Sequence, residues 1–180
     1  MNNLENAKKL SEAIIFAAEK HNNQFRKGDG MPYIFHPLSV MSILMDVKKD
    51  SKNIFMLCAA AILHDTVEDC DITCQDIADR FGYKVASIVD ELTSDKEKIK
   101  DIGKKEYLLL KCQSISSYSL DIKLADLLHN LTTMNNMDES FINKRLEITN
   151  HIIDNIQEKT KITKTHMKLI SKIKNELKKY

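Results

Sequence analysis

Apolar residues recur along most of this chain at intervals of three and four positions, the spacing of one face of an α-helix. Residues 4–22 show it first, and the glycines and proline of residues 24–35 then predict a loop. A second helix is predicted from His36, because Pro37 suits a first helical turn. Further helices are predicted over residues 54–67, 73–80, 85–92, 106–113, 120–133, 141–156 and 162–177, with a mobile charged connection at 94–105 and a serine-rich break at 114–119.

The helix predicted over residues 54–67 differs from the others, because its opening stretch, IFMLCAAAIL, has no polar face. A helix that is apolar all round is buried. It then delivers one histidine and three acids, namely His64, Asp65, Glu68 and Asp69. In a continuous helix these side chains share one side, and carboxylates at a helix C-terminus repel the helix dipole and one another. A bound cation would resolve this conflict; the alternative is a helix end whose acids simply extend into water.

Composition points to a single all-α domain. A chain of 180 residues is long enough for one well-cored domain and short for two. Its 4 Gly and 2 Pro are too few for the many tight turns of a β-sandwich or barrel. We therefore predict one domain over residues 1–180, an all-α bundle of roughly eight to ten helices. The net charge of +1 gives no support to nucleic-acid binding, which we do not expect.

The N-terminal sequence and the cysteines indicate a cytoplasmic protein. The opening MNNLENAKKL is polar, and the apolar residues 14–18 are too few to cross a bilayer, so no membrane association is expected. Four cysteines without a secretion signal are typical of reduced thiols. Cys70 and Cys74 are one helical turn apart, but no second Cys or His pair completes a zinc site. The lysine-rich helix at 162–177 is interpreted as a solvated face, with an acidic partner or RNA as the alternative.

Four residues have the chemistry of a metal site: His36, His64, Asp65 and Asp126. Two imidazoles and two carboxylates suit Mn²⁺, Fe²⁺ or Zn²⁺. Because the three segments are far apart in the chain, spacing alone does not bring them together. His36 by itself would more often be a structural histidine, and Asp126 by itself an ordinary residue on the polar face of its helix.

The order of these residues resembles the signature of the HD-domain phosphohydrolases. Four ordered blocks are similar to the ppGpp hydrolase domain of the Rel/SpoT family, and most of all to its short stand-alone alarmone hydrolases, the Mesh type. A bare His-Asp pair is a weak signal, whereas four blocks in order within residues 5–135 are a specific one. The blocks are RKGDGMPYIFHPLSV at 26–40, AAILHDTVEDCDIT at 60–73, ELTSDK at 91–96 and KLADLLHNL at 123–131.

The resemblance implies an HD-domain fold and hydrolysis of the 3′-pyrophosphate of ppGpp and pppGpp with one divalent metal, usually Mn²⁺. The resemblance does not extend beyond about residue 137, and we predict that the C-terminal helices over residues 138–180 pack on the domain. We expect no room in 180 residues for the synthetase and regulatory domains of long Rel proteins. By position, His36, His64, Asp65 and Asp126 would be the metal ligands, and Glu68 and Asp69 the catalytic acids. Which of the two acids is the base stays open, because adjacent carboxylates and a metal titrate together.

The resemblance also assigns contacts to the nucleotide. Arg26 would lie against the guanine, a contact for which a planar guanidinium is well suited. The alternatives are an exposed loop pair for Arg26 and Lys27 and a surface charge for Lys96. His129 is a candidate partner of Asp126, with a plain core or surface histidine as the alternative. The full set of substrate contacts would be Arg26, Lys27, Lys96, Asn130 and Thr133.

Two departures keep other functions open. Leu127 and Thr132 stand where the family often has basic residues. An HD phosphohydrolase acting on another nucleotide, such as the ribose phosphate of NADPH or a nucleoside mono- or triphosphate, is therefore the alternative. A catalytically inactive nucleotide sensor is a third hypothesis, which the Glu68–Asp69 pair disfavours. In each case the partner is a small nucleotide, and the oligomeric state stays open.

Overall fold

The computed structural model describes residues 3–158 and 160–180, and their regular structure is helical, which confirms the all-α class. Nine of the helices found there have eight or more residues. Extended pairing within this part of the chain is confined to an isolated antiparallel bridge between Phe25 and Pro32. The helices are α1 (Asn3–Lys20), α2 (Phe35–Lys48), α3 (Ile54–Leu63), α4 (Thr66–Asp69), α5 (Cys74–Phe81), α6 (Tyr83–Leu92), α7 (Lys96–Ile102), α8 (Lys104–Ser114), α9 (Ser117–Thr132), α10 (Glu139–Asn155) and α11 (Lys164–Leu177), with a 3₁₀ turn at Ile156–Glu158.

The chain forms two compact units. The first contains α1 to α6, and the second contains α7 to α11 together with the short segment Lys27–Asp29. The single-domain organisation over residues 1–180 stays a prediction. Among the described residues, no helix is both long enough and apolar enough to cross a membrane.

Helix α3 is the centre of the first unit. It packs against α1, α2 and α6, and α5 packs on α6. Every residue from Leu57 to Leu63 is buried, which confirms the prediction of a helix without a polar face. Full burial of each large apolar side chain stabilises the fold by about 1.5–3 kcal/mol. The end of α3 is therefore a fixed platform for the residues that follow it.

The predicted continuation of this helix to residue 67 is wrong, because α3 ends at Leu63 and α4 begins at Thr66. Side chains take up the carbonyls at this end: His64 Nδ1 lies 2.7 Å from the Ala61 oxygen. The Thr66 hydroxyl donates to the Leu63 oxygen at 2.7 Å. These bonds satisfy groups that a longer helix would have paired with backbone N–H. Glu68 and Asp69 consequently lie on a separate helix of 4 residues.

Helix α9 is the centre of the second unit, with α11 and α10 packed on it and α10 also packed on α8. One face of α9 lies in the core, since Leu124, Leu127, Leu128 and Leu131 are all buried. The helix begins at Ser117, earlier than predicted, because the Ser116 side chain accepts a hydrogen bond from the Ser119 backbone N–H.

The charged connection predicted at 94–105 is a second error, because most of it forms α7. The Asp95 carboxylate accepts hydrogen bonds from the backbone N–H of Glu97 and Lys98, at 3.1 and 3.0 Å. This N-cap satisfies donors that a helix start leaves unpaired. Gly103, at φ 81°, ends the helix in a conformation that other residues rarely adopt.

Candidate active site

Three of the predicted metal ligands meet at the junction of α3 and α4. His36, His64 and Asp65 each offer one ligand atom, and these atoms lie within 4.8 Å of one another. Asp65 Oδ2 is 3.2 Å from His64 Nε2 and 3.6 Å from His36 Nε2. His36 stands in the first turn of α2, so the packing of α2 on α3 brings the two histidines together.

The hydrogen bonding of His64 shows which of its nitrogens is available to a metal. Its Nδ1 lies 2.7 Å from the Ala61 carbonyl, which can only accept, so Nδ1 carries the proton. In the neutral ring the lone pair is then on Nε2, a buried atom that lies 3.2 Å from Asp65 Oδ2 and makes no hydrogen bond. Metal-binding histidines typically hold the second ring nitrogen in this way. A divalent ion would satisfy a buried nitrogen that is otherwise costly to leave unpaired, so the cluster fits such an ion.

Asp126, the fourth predicted ligand, lies in the second unit on α9. Lys123 Nζ is 2.9 Å from its Oδ2, and Asn130 Nδ2 donates to its Oδ1 at 2.5 Å. The carboxylate is thus buried and held from both sides along one face of the helix. Sequence reasoning assigned no role to Lys123, although its spacing of three positions from Asp126 allows this contact. A shared site of Asp126 with the histidines stays a prediction.

The predicted catalytic acids, Glu68 and Asp69, follow the cluster directly on α4. Partial burial raises the pKa of the Asp69 carboxyl, and the negative charges of Asp65 and Glu68 raise it further. A hydrogen bond from Tyr33 acts in the opposite direction. Asp69 is therefore a carboxyl held close to two other acids, which is an arrangement that a neighbouring cation would favour.

Three polar residues near this site were missed by sequence reasoning: His21, Gln24 and Tyr33. The Tyr33 hydroxyl donates to Asp65 Oδ2 at 2.8 Å. Gln24 Nε2 donates to the Asp69 carbonyl at 3.1 Å. The only sequence signal was their presence in and just before the RKGDGMPYIFHPLSV block, which precedes the histidine-aspartate pair by about thirty positions.

The predicted nucleotide contacts are divided between the two units. Arg26 lies in the first unit, where its N–H donates to Met31 O at 2.9 Å and its carbonyl accepts from Gly30 N at 3.1 Å. Lys96 is an exposed residue of the second unit. Asn130 contacts Asp126, as described above. His129 accepts from Thr133 through its carbonyl, at 3.0 Å, and a role for its ring stays a prediction.

Within the second unit, Gly28 allows Lys27 and Thr133, two of the predicted nucleotide contacts, to lie close together. A Cβ at this position would lie 3.0 Å from both the Thr133 carbonyl oxygen and the Met137 sulfur. Only glycine allows this close approach to a backbone oxygen without a shift of the neighbouring atoms. Lys27, the residue before it, is consequently placed beside the end of α9 that carries Thr133.

With this geometry in place, the comparison with known proteins is informative. The family model described as HD domain matches residues 13–154 of this chain. The chain belongs to the HD-domain family. It is 40% identical over 130 residues to human guanosine-3′,5′-bis(diphosphate) 3′-pyrophosphohydrolase MESH1, and the match covers 72% of this chain and 71% of that protein. The resemblance to the Rel/SpoT hydrolases is thereby confirmed.

Two further relatives agree in fold and differ in length. A solved structure of a metazoan orthologue of SpoT, described as hydrolysing ppGpp and acting in starvation responses, superposes with a TM-score of 0.79 at 26% identity, over 95% of this chain and 94% of that one. GTP pyrophosphokinase rsh of Brucella ovis is 39% identical over 151 residues, which are 81% of this chain. The chain spans only 19% of the length of that protein.

Proposed function

We propose that this HD-domain chain hydrolyses the 3′-pyrophosphate of ppGpp and pppGpp, giving GDP or GTP and pyrophosphate, with Mn²⁺ as its metal and the cytoplasm as its compartment. The observation that carries the proposal is the cluster of His36, His64 and Asp65, whose ligand atoms lie within 4.8 Å of one another and in which the buried His64 Nε2 makes no hydrogen bond. Relatives named as ppGpp hydrolases over most of this length support the choice of substrate. The four free cysteines fit a reducing compartment.

The metal would be held by His36, His64 and Asp65, with Asp126 as the proposed fourth ligand. A divalent ion in such a site lowers the pKa of water and offsets negative charge on phosphoryl oxygens. The attacking water forms a bond to the phosphorus next to the ribose 3′ oxygen, and the bond between that phosphorus and the 3′ oxygen breaks. One proton leaves the water and one is gained by the 3′ oxygen, so the reaction requires groups that accept and deliver protons.

Glu68 and Asp69 are the proposed groups for these proton transfers. They follow Asp65 directly, and the backbone N–H of Asp69 donates to the Asp65 carbonyl at 2.9 Å. A positioned carboxylate can take or orient the proton of the attacking water. Neither acid needs to touch the metal for this purpose.

The nucleoside would be held mainly by polar side chains at two places. Arg26 would stack its guanidinium on the guanine, and Lys27 and Lys96 would offset phosphate charge. Asn130 and Thr133 would contact the nucleoside. The close packing of Gly28 on the Thr133 carbonyl supports a common role for Lys27 and Thr133.

A substrate panel tests this proposal. Purified chain with MnCl₂ is expected to release pyrophosphate from ppGpp and pppGpp, and Glu68→Gln or Asp69→Asn is expected to abolish the release. Asp79→Asn is a matched control, because Asp79 is an exposed acid on α5 bonded to Gln75, and it should retain full activity. No pyrophosphate from ppGpp with the intact chain would remove the proposal.

A second candidate, hydrolysis of another nucleotide, is favoured by Leu127. This residue stands where the family often has a basic side chain, and it is buried in the core, so it brings no charge to a phosphate. NADPH and nucleoside mono- and triphosphates therefore belong in the same panel. If one of them is turned over faster than ppGpp by a wide margin, the second candidate replaces the first.

A further inference from the structure

The segment that follows α1 clasps the end of α4, although the two are far apart in the chain. Gln24 Nε2 donates to the Asp69 carbonyl at 3.1 Å, across 45 positions. The Cys70 thiol donates to the Lys20 carbonyl at 3.3 Å, across 50 positions. The first contact reaches Asp69, a proposed catalytic acid. The second involves Cys70, the residue directly after it.

Helix α4 needs such support, because it is a single turn of 4 residues. A helix of this length is not stable by itself, since nucleation costs more than the few hydrogen bonds return. The positions of Glu68 and Asp69 therefore depend on contacts from other parts of the chain. A displacement of about 1 Å in a catalytic group can cost on the order of 100-fold in rate.

His21 fixes the orientation of the Gln24 amide. It is buried, and its Nδ1 lies 2.8 Å from Gln24 Oε1. Because an amide oxygen only accepts, the proton is on Nδ1. The oxygen of Gln24 is thus directed to His21, and its NH₂ group is directed to the backbone of Asp69. A flipped amide would lose the bond to the Asp69 carbonyl.

Tyr33 extends the same group of residues to the metal cluster. Its ring lies on the His21 ring, with centroids 4.8 Å apart. Its hydroxyl donates to Asp65 Oδ2 at 2.8 Å, the oxygen that faces both histidines of the cluster. The hydroxyl therefore reaches a proposed metal ligand from the same group of residues that holds the main chain of Asp69.

We propose that His21, Gln24 and Tyr33 form a positioning brace that fixes Asp65 and Asp69 relative to each other. The brace holds Asp65 by its side chain and Asp69 by its main chain. Its catalytic meaning rests on the proposed function. None of the three residues is required to touch the substrate.

The main test replaces Gln24 by methionine, which keeps the length of the side chain and removes its hydrogen bonds. The matched control is Gln113→Met in the second unit, where Gln113 Nε2 donates to the Asn155 carbonyl at 3.0 Å across 42 positions. We expect Gln24→Met and Tyr33→Phe to lower kcat for ppGpp by about 10- to 100-fold, with KM within about twofold. Gln113→Met should leave both constants unchanged.

A second measurement does not depend on activity. The backbone N–H groups of Asp69 and Cys70 are hydrogen-bonded to Asp65 and Thr66, at 2.9 and 3.0 Å, so their hydrogen exchange reports on α4. In metal-free protein, Gln24→Met should speed this exchange at least about tenfold relative to Gln113→Met. Unchanged exchange would overturn the brace, and so would faster exchange with a kcat equal to the control. If the wild-type chain does not hydrolyse ppGpp, the proposed function fails, and the exchange comparison alone decides the brace.

Discussion

Each unit of the molecule contains a buried histidine in contact with an aspartate, and the two contacts have the same length. His64 Nε2 is 3.2 Å from Asp65 Oδ2 in the first unit, and His166 Nε2 is 3.2 Å from Asp121 Oδ1 in the second. Both histidines are buried, so distance and burial do not separate them. The hydrogen bonds of the ring nitrogens do.

His166 is a structural histidine because both of its ring nitrogens have partners. Its Nδ1 accepts from the Thr163 backbone N–H at 3.1 Å, as the second half of a capping box at the start of α11. Its Nε2 therefore carries the proton and lies 3.0 Å from the Ser117 carbonyl on α9. His64, by contrast, leaves a buried Nε2 lone pair without a hydrogen bond. The unpaired Nε2 of His64 thus separates it from His166, and its place beside His36 and Asp65 makes it the proposed ligand of the two.

The largest expected effect separates the two histidines by activity. His64→Ala should lower pyrophosphate release from ppGpp by more than about 100-fold, because even residues that only support metal ligands contribute 10- to 100-fold. It should also abolish Mn²⁺ binding in calorimetry. His166→Ala, assayed under conditions where it is folded, should bind Mn²⁺ like the wild type. Equal loss of metal binding in both variants would contradict the distinction.

The next effect is on stability, and here the larger loss is expected for the structural histidine, His166. His166→Ala removes one partner of a fully buried pair, so we expect a loss of about 3–5 kcal/mol in the free energy of unfolding, measured with urea. The control is His151→Ala in the same unit. His151 Nε2 lies 3.3 Å from Glu106 Oε2 but is 29% exposed, and a loss of about 0–1 kcal/mol is expected there.

Added metal should stabilise the chain only where the proposed ligand His64 is present. At a free Mn²⁺ concentration of about 100 times its Kd, the wild-type chain should gain about 2.7 kcal/mol in the free energy of unfolding. His151→Ala should gain the same amount, and His64→Ala should gain nothing. A gain in His64→Ala equal to that of the wild type would place the bound ion elsewhere.

The smallest effect concerns the other capping box, at the start of α5 in the first unit. Thr73→Ala should cost about 1 kcal/mol. Hydrogen bonds from the Thr73 side chain and backbone lower the pKa of Asp76. Since the folded pKa lies below the unfolded one, this stabilisation is present above the unfolded pKa and is lost as the pH falls through the folded pKa. Urea unfolding at neutral and acidic pH should show the difference between wild type and Thr73→Ala shrinking in acid.

Periodicity and capping chemistry were sufficient to predict most helices, because both are local. Thr73 caps the start of α5, Gly82 lies at its end, and α9 buries its leucines, all features of local sequence. The end of α3 was missed because side chains of His64 and Thr66 compete with the backbone for its carbonyls. Helix α7 was missed because charge was interpreted as mobility, although Asp95 is a good N-cap.

The candidate site could be predicted from sequence only where its residues belong to a recognised motif. His64 and Asp65 are adjacent in sequence, and the resemblance supplied His36. The contact of Tyr33 with Asp65 crosses 32 positions and that of Gln24 with Asp69 crosses 45, so neither can be derived from spacing. The role of His166 depends on the packing of α11 on α9, which periodicity does not specify.

Pyrophosphate release from ppGpp, followed while Mn²⁺ is removed and restored, tests the central claim most directly. We predict no release in the presence of excess chelator, recovery on addition of MnCl₂, and no recovery in His64→Ala. Release that continues at the same rate in chelator, or recovery in His64→Ala to the wild-type rate, would contradict a metal-dependent hydrolase built on His36, His64 and Asp65.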